Sequence, residues 1–260
     1  MSSKLFDLSN KTALITGGNS GIGLGFATGI AKQGGNVCIW GRNAEKNQQA
    51  CEQLGEFGTK VHVIAVDVAE ESSVTSAFAE TLEVFGRVDG CFANAGVGGG
   101  GGAFHELDVD KWRHVMAVNL DGLFFTLRAA ARHMKERAEA GDPGGRLVGT
   151  SSLGALLGMA KAQAYAGSKG AVISIMQGLA IEYARYRVTA NSILPGHIET
   201  PMTASAYQNE KFVKAIMPRI PARRWGTPED FEAIAAYLMS DASQYHTGDN
   251  FVIDGGFLMY

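Results

Sequence analysis

Residues Thr16 to Gly23 read T-G-G-N-S-G-I-G, between a short apolar run from Thr12 and a helical pattern beginning at Ile22. Glycines spaced G-x-x-x-G-x-G let the chain turn tightly where a strand hands over to a helix. Their missing Cβ atoms also let the backbone approach a pyrophosphate, whose charge a helix N terminus stabilises. The spacing is not the commoner G-x-G-x-x-G, and an isolated glycine triplet is weak evidence. Its strand–turn–helix context is what gives it weight. A glycine-rich turn that holds no ligand is the plain alternative.

The chain downstream repeats the alternation. Asn36–Trp40, Val61–Val66, Val88–Ala93, Arg146–Gly149, Val188–Leu194 and Phe251–Ile253 read as strands. Helical patterns lie between them at 44–54, 71–85, 109–140, around Tyr165 and on to about Tyr183, and at 227–240. This interval predicts a parallel sheet covered on both faces. The 109–140 helix and the helix carrying Tyr165 are apolar on more than one side, which suggests a homo-oligomer packed helix to helix, or helices deep in a large monomer. Residues 197–226, interrupted by Pro201, Pro218 and Pro221, predict a binding loop or lid. Five consecutive glycines, Gly98 to Gly102, predict an irregular loop. No linker or repeat divides the chain, so one domain spanning 1–260 is expected.

Composition narrows the function. Hydrophobic residues make up 46% and charged ones 19%, as in a globular chain, and a net charge of −3 offers no electrostatic case for nucleic acid or an anionic membrane. No signal peptide or membrane span is expected, and the predicted location is the cytoplasm. Cys38, Cys51 and Cys91 lack metal-ligand spacing and read as free thiols; the scattered histidines add no metal site.

The chemistry gathers between Thr150 and Lys169. Tyr165 and Lys169 lie four apart, one helical turn along the same face. With Ser152 upstream they could move a proton to or from an alcohol or carbonyl. The tyrosine–lysine pair alone occurs by chance in many chains. At the end of the second strand, where an NAD-binding fold places a carboxylate for the ribose 2′-hydroxyl, the sequence has Gly41 followed by Arg42. Glycine leaves room for a 2′-phosphate and the guanidinium would pair with it, so NADP(H) is favoured over NAD(H).

Taken together, these motifs resemble the short-chain dehydrogenase/reductase family over nearly the whole length. The resemblance implies an α/β, Rossmann-type doubly wound fold, with a seven-stranded parallel sheet in the order 3-2-1-4-5-6-7. It implies cofactor contacts from Gly17, Asn19, Ser20, Gly21, Ile22 and Gly23, from Arg42, and from the adenine-contacting pair Asp67 and Val68. It adds the N-A-G motif Asn94, Ala95 and Gly96, then Pro195, Gly196, Ile198 and Thr200 at the nicotinamide end, and a C-terminal Asp254-Gly255-Gly256. It implies a catalytic set of Asn119, Ser152, Tyr165 and Lys169. Tyr165 would be the general acid in reduction, and Lys169 would lower its pKa and hold the nicotinamide ribose. Ser152 would stabilise the substrate oxygen, and Asn119 would hold a relay water. The family is often tetrameric, so a homotetramer or homodimer is expected. Arg187 departs from the pattern, standing where the family usually has glycine.

The implied function is an NADP(H)-dependent oxidoreductase interconverting a secondary alcohol and a ketone. The alternatives are a 3-oxoacyl-carrier-protein reductase, with Arg128, Arg132, Arg185 and Arg187 as loose basic candidates, and a non-catalytic nucleotide sensor or scaffold. Leu153, Met159, His197, Met202 and Tyr207, with Phe212 and Trp225, are candidates for the substrate pocket and lid. Their apolar character favours an apolar ketone.

Overall fold

The computed structural model describes residues 5–99 and 102–260. The first four residues of the expected leaderless start, and Gly100 and Gly101 of the five-glycine run, lie outside the described residues. Strands β1 (Thr12–Thr16), β2 (Asn36–Gly41), β3 (Val61–Ala65), β4 (Gly90–Ala93), β5 (Gly145–Thr150), β6 (Val188–Pro195) and β7 (Asn250–Ile253) form one parallel sheet. Its order is β3-β2-β1-β4-β5-β6-β7, as expected. The order reverses between β1 and β4, which opens a crevice at the carboxyl ends of the strands. The helices are α1 (Gly21–Lys32), α2 (Ala44–Gly55), α3 (Glu71–Phe85), α4 (Val109–Met116), α5 (Gly122–Glu139), α6 (Gln163–Tyr183), α7 (Ala204–Tyr207), α8 (Glu210–Ile216) and α9 (Glu232–Met239).

Side chains of successive strand residues point to opposite faces, so a strand buried on both sides must be apolar at every position. β1 shows the consequence. Leu14 packs with Cys38, Cys91, Leu147 and Ala190 beneath α3, α5 and α6. Its neighbours Ala13 and Ile15 pack with Val37, Ile39, Phe92 and Val148 beneath α1 and α9. Cys38 and Cys91 are free and buried, and burial pushes both thiols up, that of Cys38 to about 12. They behave as small hydrophobes, in keeping with the sequence reading.

Three elements differ from the sequence expectation. The helix expected over 109–140 is two helices joined by a π-helical stretch, Ala117–Asp121. Asn119 lies in it, and the wider turn accompanies bonds from its side chain to another segment. The expected 227–240 helix begins as a 3₁₀ turn, Pro228–Phe231, before α9. Residues 197–226 carry more regular structure than their prolines suggest, namely α7, α8 and the turns Pro201–Thr203 and Met217–Arg219.

Arg187 sits in the left-handed region with φ 57°, directly before β6, where an L side chain costs about 1 kcal/mol. The two-sided apolarity of α6 is mostly intramolecular, since Val172, Met176, Ile175 and Leu179 all pack into one cluster. The large apolar side chains left exposed on these helices are Val109 and Trp112 on α4, Phe124 on α5 and Ile181 on α6. Among the described residues, no helix is long and apolar enough to cross a membrane, and no His, Cys, Asp or Glu cluster could hold a metal ion.

Candidate active site

The central strands are tied together where they end. Thr16 closes β1, and its hydroxyl accepts the backbone N–H groups of Asn94 and Ala95, each at 3.0 Å. The Asn94 amide donates to the Thr16 carbonyl at 3.1 Å and accepts from the Thr150 hydroxyl at 3.2 Å. This string of bonds runs across β1, β4 and β5 and shapes the floor of a cleft of about 380 Å³.

One end of the cleft is the glycine turn. Gly17 has φ 64°, which a side chain would strain, and a Cβ on Gly23 would fall 2.2 Å from the Gly17 carbonyl oxygen. Gly23 therefore acts by letting helix and turn close together, while Gly17, Asn19, Ser20, Gly21 and Ile22 line the cleft. Ser20 caps α1 without a side-chain bond, so the first-turn N–H groups remain available to an anion. Arg42, Asp67 and Val68 line the same end, with the guanidinium 4.0 Å from the Asp67 carboxylate.

At the other end, Asn94, Ala95, Gly96, Pro195, Gly196, Ile198 and Thr200 meet Ser152, Tyr165 and Lys169. Lys169 is buried and donates to the Thr150 carbonyl oxygen at 2.8 Å. Burial lowers its pKa to about 8. Ser151 is turned into the core and donates to the Lys169 carbonyl at 2.7 Å. Its neighbour Ser152 stays partly open and accepts the Gly154 N–H at 3.1 Å, with its hydroxyl in reach of the Tyr165 phenol. Tyr165 is half-buried by surface area, but the protein packed round its ring dominates its titration. Burial raises its pKa and the bond to Ser152 opposes the rise. The Lys169 ammonium is directed at Thr150 and lies 5.8 Å from the centroid of the phenol ring.

Asn119 stands behind the lining. Its Oδ1 accepts the Val97 N–H at 2.7 Å, and its Nδ2 donates to the Val97 carbonyl at 3.0 Å and to the Ser168 hydroxyl at 3.2 Å. A Cβ on Gly96 would lie 3.2 Å from that Oδ1 and 3.5 Å from Lys169 Nζ, so a side chain there would press on the Asn119 amide.

The substrate candidates divide. Met202 lines the cleft, joined by Thr203. Leu153 is buried with Ile220 and Phe257, and Met159 folds its sulfur over Gly154. His197 packs edge-on against Phe257 and Trp225, and Trp225 against Tyr207 and Phe212. These rings pack on one another, with Trp225 buried among them and Tyr207 and Phe212 still exposed. Burial and Arg219 lower the His197 pKa. The sequence reading also missed lining residues. Trp40, Val66 and Val118 carried no signal beyond apolarity, whereas Lys46, four residues after Arg42, had a helical spacing that could have been used.

The dinucleotide fit follows from this arrangement. A glycine turn with open helix N–H groups stands at one end, and a hydroxyl–phenol–ammonium group at the other, within one continuous cleft.

Residues 17–258 match a family model described as enoyl-(acyl carrier protein) reductase. The chain belongs to the short-chain dehydrogenase/reductase family. It is a dehydrogenase/reductase acting on the alcohol–ketone couple. It is 33% identical over 255 residues to the 5-keto-D-gluconate 5-reductase of Escherichia coli (strain K12), covering 98% of each chain. It is 34% identical over 250 residues to the 3-oxoacyl-[acyl-carrier-protein] reductase of Chlamydia pneumoniae, covering 96% of this chain and 97% of that one. A gluconate 5-dehydrogenase from Burkholderia cenocepacia J2315, solved in complex with NADP and tartrate, superposes with a TM-score of 0.91 at 32% identity, over 98% of both chains.

Proposed function

We propose that this short-chain dehydrogenase/reductase is an NADP(H)-dependent enzyme interconverting a secondary alcohol and a ketone, with Tyr165 as general acid and base. The observation that carries the reading is the meeting of Ser152, Tyr165 and buried Lys169 at the end of the cleft that the glycine turn opens. When bound, the nicotinamide supplies or accepts the hydride.

The chain's own residues manage the proton and the geometry. In reduction, Tyr165 gives its hydroxyl proton to the carbonyl oxygen, a role suited to a phenol that burial keeps protonated. Ser152 donates a hydrogen bond to the same oxygen as charge develops on it. Lys169 brings a positive charge to the phenol's own helical face and holds the nicotinamide ribose. Asn119 fixes the backbone at Val97, beside Lys169, and marks the route by which a water would return the proton. Arg42 and Lys46 supply the positive charge for a 2′-phosphate.

Residues 197–226 act as the lid. Met202 and Thr203 reach the cleft from it, while His197, Tyr207, Phe212 and Trp225 form its aromatic support. The four arginines offered for an acidic carrier favour a simple ketone over an acyl carrier. None of them lines the cleft, and Arg128 is engaged by Glu71 and stacked 4.8 Å from the Phe124 ring. Homo-oligomerisation through α5 and α6 is part of the reading, supported by outward Phe124 and Ile181. A reducing, cytoplasmic setting is supported by the buried free thiols.

The test is turnover with NADPH and NADH on 5-keto-D-gluconate, an alicyclic ketone and a 3-oxoacyl carrier substrate. Ketone reduction faster with NADPH is expected. Faster turnover with NADH throughout would refute the cofactor assignment, and preference for the acyl carrier the substrate assignment.

A further inference from the structure

Gly41, the last residue of β2, stands where a dinucleotide fold that binds a ribose 2′-hydroxyl carries its carboxylate. The space above it is already taken. A Cβ built on Gly41 would lie 2.3 Å from Asn19 Nδ2 and 2.5 Å from Asn47 Oδ1. Both distances are too short to keep, so a side chain there must displace the Asn47 amide, which is bonded to two strand ends, or the Asn19 amide, which is bonded to Asn47.

Asn47 lies on α2 and is only 3% exposed, an amide buried on an otherwise polar helix. Such a group is costly unless its bonds are made. Its Nδ2 donates to the carbonyl oxygens of Gly41 at 2.9 Å and Ile64 at 3.3 Å, at the ends of β2 and β3. Its Oδ1 accepts from Asn19 Nδ2 at 2.6 Å. Turning the amide over would set its oxygen against two carbonyl oxygens, so one orientation is selected. Asn19 belongs to the phosphate-binding turn. The two amides thus lock that turn to the ends of two strands, through the volume that a side chain at position 41 would need.

We infer that Asn47, acting through Asn19, is a positioning residue whose amide occupies the volume a side chain at position 41 would need, so that a 2′-hydroxyl-binding carboxylate placed there is accommodated only once this amide pair is removed. The inference rests on the NADP(H) reading above. In the chain as it stands Arg42 and Lys46 attract the 2′-phosphate at the cleft rim and Gly41 offers a 2′-hydroxyl no partner; the amide pair decides what a side chain placed at position 41 would have to displace. An acidic side chain at position 41 displaces Asn19, and with it the turn on which either cofactor depends. Changing Gly41 alone therefore does not convert the enzyme to NADH.

The experiment is a double-mutant cycle on the full chain, reading the Kd of NADPH and of NADH for the wild type, Gly41→Asp, Asn47→Ala and the double variant. Gly41→Asp alone is expected to weaken both cofactors about tenfold or more. In the Asn47→Ala background, the same change is expected to move the NADH-to-NADPH affinity ratio about tenfold or more toward NADH. Asn19→Ala provides a second route, because it removes the closer of the two contacts and releases Asn47 Oδ1 from its partner while leaving both Asn47 bonds to the strand ends. It should relieve Gly41→Asp in the same way even if Asn47→Ala folds poorly. A purely structural tether would change the two affinities together and leave their ratio unmoved. That result, or additive effects at positions 41 and 47, overturns the inference alone. So does a Gly41→Asp single variant that binds NADH as well as the double variant. A wild type that binds NADH more tightly than NADPH overturns the cofactor reading, and with it the selectivity argued here.

Discussion

Lys169 lies one helical turn beyond Tyr165, with its ammonium 5.8 Å from the centroid of the phenol ring and 2.8 Å from the Thr150 carbonyl oxygen. The charge is thus held by the end of β5 near the ring, while Ser152 hydrogen-bonds the phenol. A strand end and a helix face together set the proton chemistry.

Tyr165→Phe keeps the ring and its packing and removes the proton. Turnover should fall about 10²–10⁴-fold, the usual worth of a positioned general acid. Cofactor affinity, read by titration, should stay close to that of the wild type. Undiminished turnover would show that another group supplies the proton.

The Lys169 charge should appear in the pH profile. With a pKa lowered to about 8, it carries its proton below that pH and loses it above. Ketone reduction should therefore decline as pH rises through about 8, and the decline should disappear in Lys169→Met. A wild-type profile flat through that range would count against a role for the ammonium.

The same group makes stability depend on pH in a definite direction. Its folded pKa of about 8 lies below its ordinary 10.5, so between these values the unfolded chain binds more protons. Below about 8 both states are protonated and the full burial penalty stands; it is relieved as pH rises. Wild-type stability should gain on Lys169→Met between about pH 7 and pH 10, by at most ~3 kcal/mol. Urea midpoints across that range measure it, and a constant difference would contradict a buried, charged amine.

Arg42 is exposed at the cleft rim, 4.0 Å from Asp67. Arg42→Ala should raise the KM for NADPH about 10–100-fold, the equivalent of ~1.5–3 kcal/mol for a charged hydrogen bond. The KM for NADH should change little. Equal changes for both cofactors would remove the 2′-phosphate from the argument.

Arg187 holds a left-handed conformation that glycine adopts without strain. Arg187→Gly should stabilise the fold by up to about 1 kcal/mol, read as a shift in urea midpoint with kinetics unchanged. A destabilised variant would mean that the arginine side chain makes up for its backbone.

The parts of the site that were legible in the sequence are those whose logic is local. The glycine turn, the Tyr165–Lys169 spacing and Gly41-Arg42 each depend on neighbours within about one turn or at one strand end. Asn119 was recognisable only through family resemblance, because its partners Val97 and Ser168 are 22 and 49 residues away and its helix breaks into a π turn there. The lid aromatics are a related case. Apolarity marks His197, Tyr207, Phe212 and Trp225 as pocket candidates, and their packing on one another is set by segments distant in sequence.

The sequence by itself determined the order of strands and helices, the two-faced burial of the sheet and the position of the phosphate turn, because periodicity and glycine placement act over a few residues. Tertiary structure alone decided where the Lys169 charge points, what Ser151 bonds to in the core, and what stands above Gly41. Each of these depends on hydrogen bonds between segments that become neighbours only when the parallel strands align their ends. Asn47 shows the difference most clearly: one polar residue on a polar helix in the sequence, and in the fold the amide that joins two strand ends to the phosphate turn.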